Sequence, residues 1–139
     1  MTRLLGLALA TALGSGLGAV ARFLLALALT GDGLPWATLL ANVAGSFLIG
    51  LAAEQSTRPG HVMADPFVRQ FVMVGFCGGF TTFSLFSLEA LLLVRAGVFE
   101  LAALYVALSL ALWLAGAWAG MTLGRRLVPG PLPEDRPAR

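Results

Sequence analysis

Lysine is absent from this 139-residue chain, cysteine and histidine occur once each, and charged residues make up only 12% of it. Each shortage excludes something. A single cysteine, Cys77, permits no intramolecular disulfide, and with His61 as the one histidine no zinc or iron–sulfur ligand set can be assembled within one chain. His61 lies in a charged loop without a second metal-binding side chain nearby and reads as a surface residue. There is no serine, histidine and aspartate set, no pair of carboxylates within the apolar runs, and no phosphate-cradling loop followed by lysine, so the chain does not read as an enzyme. Its nine basic residues, all arginine, leave a net charge of only +2, too small and too dispersed to suggest nucleic acid as a partner.

What the chain has in abundance is apolar side chains, 58% of the total, with a mean hydropathy of +0.88, which puts it outside the soluble globular class. It reads as an all-α membrane protein. The length accommodates four spans of about 20 residues with short loops and no further soluble domain. The spans are expected near 4–29, 36–53, 67–94 and 101–123, making residues 1–124 one membrane domain, followed by a proline-rich, charged tail over 125–139 expected to be disordered. A signal peptide competes for the first run, but its apolar core would be about 7–15 residues, and this run is longer and holds Arg22.

Small and polar residues punctuate the spans at helical spacing. Gly14, Gly18 and Arg22 recur every four residues, suiting close packing against another helix. Thr38, Asn42, Ser46 and Gly50 form a stripe on span two that must face protein or a pore. Tyr105 and Ser109 sit one turn apart on span four, and Gly116 and Gly120 allow a neighbouring backbone close. Span three is the exception. Gly75-Phe76-Cys77-Gly78-Gly79-Phe80-Thr81-Thr82 holds three glycines in five residues and then two threonines, which predicts that the backbone leaves the helix. At membrane depth such a break is tolerated only where protein covers it or where it lines a cavity.

The polar atoms within the spans are mainly neutral donors, from Asn42, Ser46, Thr81, Thr82, Ser84, Ser87, Tyr105 and Ser109, and fixed neutral dipoles can replace the hydration shell of a small anion. An aromatic rim is positive, so the edges of Phe83 or Phe86 also suit an anion, although from the residues alone lipid-facing or packing rings are the more economical reading. Arg22 reads either as a snorkelling anchor or as a charge attracting anions to a vestibule, and Glu89 either as a hydrogen-bonded structural group or as part of an ion path.

Gly78-Gly79-Phe80-Thr81-Thr82-Phe83-Ser84-Leu85-Phe86 closely resembles the signature of the Fluc (CrcB) fluoride channels. Gly18-Ala19 with Arg22-Phe23, the run Asn42 to Phe47, and Tyr105 with Ser109 resemble that family's motifs in spans one, two and four. The resemblance implies passive, fluoride-selective export from the cytoplasm, in a multi-pass protein of the bacterial plasma (inner) membrane. Subunits would assemble as antiparallel, dual-topology dimers. By the same resemblance, Asn42, Thr82, Phe83, Phe86, Tyr105 and Ser109 would line the fluoride path and Arg22 a vestibule. The main-chain carbonyls of Gly78 and Thr81 would hold a structural sodium ion, Na+, at the dimer centre. A small proton-coupled multidrug exporter or a non-transporting assembly subunit are the alternatives. The exporter would need a carboxylate early in span one, where the only charge is Arg22.

Three features depart from the family pattern. Trp113 stands where the span-four track usually continues with a small or hydroxyl residue, and Leu85 replaces a threonine common between the two phenylalanines. Arginines also gather on one side: Arg3, Arg58, Arg69, Arg125 and Arg126 with the tail, against Arg95 opposite. That bias favours cytoplasmic termini and strains a dual-topology homodimer, leaving open an oppositely oriented paralogous subunit as partner.

Overall fold

The computed structural model describes residues 1–29, 31 and 33–127. Within them lie four helices long and apolar enough to cross a membrane, Thr2–Ala28, Trp36–Ser56, Pro66–Arg95 and Phe99–Leu127. Thr2–Ala28 is α1 and Trp36–Ser56 is α2. The third span is composite: α3 (Pro66–Arg69), a π-helical stretch (Gln70–Cys77), α4 (Gly78–Phe80), an extended pair Thr81–Thr82, and α5 (Phe83–Arg95). Phe99–Leu127 is α6.

Local chemistry sets the ends. Asp65 caps α3, its Oδ1 accepting the Phe67 and Val68 amides at 2.8 and 3.1 Å, with Pro66 at the first helical position where its missing N–H costs nothing. His61 accepts the Met63 amide through Nδ1 and so caps the short 3-10 turn Val62–Ala64. Between α5 and α6, Gly97 takes φ +76°. Its amide reaches the Val94 carbonyl at 3.0 Å and that of Val98 reaches Leu93 at 3.1 Å, a Schellman closure that needs a residue without Cβ.

The four spans pack as two tight seams, α1 against the first half of span three and α2 against α6. Lipid tails are as apolar as leucine, so such seams are held by close van der Waals approach rather than by expulsion of water. A Cβ on Gly18 would strike the Phe76 carbonyl oxygen, and one on Gly79 would come within 2.8 Å of Ser15 Cα. On the other seam a Cβ on Gly120 would strike the Phe47 carbonyl and come within 2.9 Å of the Leu51 nitrogen, which accounts for the Gly116 and Gly120 spacing.

These approaches correct the reason given above for the glycines of span three. The chain stays helical through Gly75, Gly78 and Gly79 and leaves the helix only at Thr81 and Thr82, with ψ of 160° and 121°. Gly75 and Gly79 are small because α1 lies against them. The π winding is tied to α1 as well: Gln70 Nε2 donates to Thr11 Oγ1 at 3.0 Å, and Ser15 Oγ donates to the Gly75 carbonyl at 3.4 Å.

Span ends also differ from expectation. Helix α6 continues through Arg125 and Arg126, which the sequence reading assigned to the tail, because Glu54 on α2 accepts from Arg125 Nε at 3.1 Å and Arg58 donates to the Arg125 carbonyl at 3.4 Å. The remainder of the expected disordered tail, 128–139, lies outside the described residues.

Candidate functional site

The break in span three is held by one side chain from α2. Asn42 Oδ1 accepts the Thr82 amide at 2.7 Å, and Asn42 Nδ2 donates to the Thr82 carbonyl at 3.0 Å. The Thr82 amide would otherwise close a helical turn onto Gly78. One turn on, the Leu85 amide donates to Thr82 Oγ1 at 3.2 Å, capping α5, instead of to the Thr81 carbonyl. The carbonyls of Gly78 and Thr81 thereby lose their helical donors, whereas that of Cys77 keeps two, from the Thr81 amide and hydroxyl at 2.9 and 2.8 Å. Oxygens freed in this way suit a hard cation, so the residues at the break fit a sodium ion.

Beside the break lies an open cavity of about 300 Å3 lined by Asn42, Gly45, Ser46, Gly78, Thr81, Thr82, Phe83 and Trp113, among others. It brings together five of the expected site residues, Asn42, Gly78, Thr81, Thr82 and Phe83. Phe86 stands one layer back, against two rings that do line the cavity: Phe83 at 5.6 Å between centroids and Trp113 at 4.8 Å and 70°. The two phenylalanines differ sharply in cover. Phe86 is 5% exposed beneath α6, and Phe83 is 70% exposed.

Tyr105 and Ser109 are completely buried on α6, Tyr105 at 5.3 Å from Phe86. The Tyr105 hydroxyl is already engaged, donating to Glu89 Oε2 at 2.7 Å, while Thr38 Oγ1 donates to Glu89 Oε1 at 2.8 Å. Glu89 thus ties α2, α5 and α6 together, in line with the structural of its two readings. Thr38, which the four-residue spacing places on the polar stripe of α2, is one of its anchors. The signal for this cluster was the carboxylate itself, which deep in a span requires partners.

Arg22 stands apart from the cavity. Its Nε donates to the Gly79 carbonyl at 3.3 Å, placing a guanidinium at the C-terminal end of the first half of span three, where the helix dipole is negative. Thr11 and Gln70, which sequence reasoning did not single out, belong with it as side chains joining α1 to that half-span.

Residues 9–121 match the family model described as CrcB-like protein, Camphor Resistance (CrcB). The chain is 47% identical over 114 residues to the fluoride-specific ion channel FluC 1 of Bradyrhizobium diazoefficiens, covering 81% of this chain and 80% of that protein. It is 48% identical over 124 residues to the fluoride-specific ion channel FluC of Rhodospirillum centenum, 86% of this chain and 96% of that one. With the FluC of Geobacter sulfurreducens it shares 46% identity over 122 residues, 86% and 97% of the two chains. A four-span helical chain matched across most of its length by both the family model and these relatives belongs to the CrcB family.

Proposed function

We propose that this chain is a fluoride-selective channel that lets F− leave the cytoplasm passively across the bacterial plasma membrane. The observation that carries the reading is the Asn42 and Thr82 clasp beside a cavity that Phe83 shares, in a chain about half identical to proteins named fluoride-specific channels. The break presents two helix ends in opposite senses. The N-terminus of α5, near Thr82 and Phe83, carries partial positive charge and favours an anion, while the carbonyl end of α4 favours a cation.

The working unit in this reading is an antiparallel dimer. Phe83 is a large ring left open beside polar groups in the single chain, and a second copy is its natural cover. The carbonyls of Gly78 and Thr81 from two such copies would surround one sodium ion at the centre, and its charge would fix the halves of span three and favour an anion nearby. Asn42 and Thr82 would meet fluoride at the cavity, Phe83 would offer it its rim with Phe86 packed behind, Ser109 would continue the track with Tyr105 shaping it from behind, and Arg22 would raise the anion concentration at the vestibule while bracing Gly79.

Liposomes loaded with potassium fluoride or potassium chloride and containing the purified chain alone test this. Fluoride efflux without chloride efflux is expected. Equal release of both halides, or of neither, refutes it.

A further inference from the structure

Two polar atoms on α6 are fully buried and have no hydrogen-bond partner among the described residues, Ser109 Oγ and Trp113 Nε1. Leaving a buried donor unsatisfied is costly, and each such atom in a native fold calls for something to receive it. The two lie one helical turn apart and continue the line of Tyr105, whose own hydroxyl is taken by Glu89 at 2.7 Å. The Trp113 ring borders the cavity together with Asn42, Ser46, Thr82 and Phe83, and stands edge-on to Phe86 at 4.8 Å. An indole N–H donates and cannot accept, so whatever partners it is an acceptor. An anion gains most, because a hydrogen bond to a charged acceptor is about twice as strong as one between neutral groups.

We propose that Trp113 Nε1 is a hydrogen-bond donor to an anion beside Ser109 Oγ, extending the path past the residue already read into it, so that an indole N–H stands where the family pattern has a small or hydroxyl residue. The identification of the anion as fluoride rests on the channel reading; the subsite itself rests on the two unpartnered buried atoms. Trp113 is then a path residue of this chain rather than a plug that shortens the track, and Tyr105, held by Glu89, shapes the track from behind.

The test uses the full chain, 15N-labelled, in lipid nanodiscs. Its three tryptophans, Trp36, Trp113 and Trp118, give three indole N–H signals. Trp36→Phe and Trp118→Phe, at positions 48% and 68% exposed, assign the third by elimination without touching the site. Titration with sodium fluoride is expected to move the Trp113 signal saturably, with sodium chloride leaving it in place, and Ser109→Ala is expected to weaken the response. Trp113→Phe keeps a ring against Phe86 but removes the donor, and is expected to lower fluoride efflux about tenfold, the worth of one charge-assisted hydrogen bond. A Trp113 signal indifferent to fluoride overturns the subsite whatever the efflux. A signal that moves in a protein that releases no fluoride keeps the subsite and overturns the channel reading instead.

Discussion

The carboxamide of Asn42 stands in for a peptide unit. It accepts the Thr82 amide at 2.7 Å and donates to the Thr82 carbonyl at 3.0 Å, so both main-chain groups of a residue outside any helix are satisfied from α2. No side chain without both a donor and an acceptor at that reach can do the same.

Asn42→Ala leaves both groups of Thr82 unpaired within protein, and Asn42→Asp keeps the acceptor while losing the donor and adding a charge. At about 1–3 kcal/mol for each group left unsatisfied, efflux of fluoride from liposomes should fall about 100-fold or more in Asn42→Ala. Wild-type flux in that variant would show that the break holds without its clasp.

Phe83 and Phe86 separate function from folding. Phe86 is buried against Tyr105 and Trp113, so Phe86→Ala should cost about 3–5 kcal/mol of stability, read from denaturation in detergent. Phe83 is 70% exposed in the single chain, so Phe83→Ile should leave the folded chain intact and reduce fluoride flux. Loss of the folded protein in Phe83→Ile, or full flux through it, would contradict this division.

The glycine seam predicts a contrast between neighbours. A Cβ on Gly18 meets the Phe76 carbonyl, whereas one on Gly16 meets nothing within 4 Å. Gly18→Ala should therefore destabilise by about 1–3 kcal/mol through overpacking, with Gly16→Ala near neutral, as judged by thermal unfolding in detergent. Equal melting of the two variants would count against the seam.

Thr38, Glu89 and Tyr105 should behave as one unit. Thr38→Val and Tyr105→Phe each remove a donor from the Glu89 carboxylate, at a cost of about 1–3 kcal/mol. Repeated in a Glu89→Gln background, both substitutions should cost measurably less, because the charged acceptor is gone. Strict additivity in that double-mutant cycle would dissolve the cluster.

Spans were legible because each is an apolar run long enough to cross the bilayer, and the stripe from Thr38 to Gly50 because four-residue spacing marks one helix face. The break was legible as a region but not to the residue. Propensity pointed at Gly75, Gly78 and Gly79, yet the decision falls at Thr82 through a partner 40 positions away in the chain. Helix propensity is a local quantity and holds no record of which side chain arrives from another span. For the same reason Glu89 announced that it needed partners without naming Thr38 and Tyr105. Arg22 was seen as a charge near a helix end, while its bond to the Gly79 carbonyl depends on how α1 lies against span three.

The π winding of Gln70–Cys77 bears on how this chain can change length. A π turn bonds each residue to the fifth along rather than the fourth, so it accommodates a surplus residue within a helix that otherwise keeps its direction. Deleting one residue from that stretch would leave an apolar run still long enough to span, and the π turn would give up its surplus by rewinding as α-helix. Thr82 would then keep its place opposite Asn42, whereas the same deletion in α5 would turn everything beyond it by about 100° around the axis. Span three should thus tolerate the loss of one residue within Gln70–Cys77 far better than within Phe83–Arg95, a difference that a hydropathy profile would scarcely register.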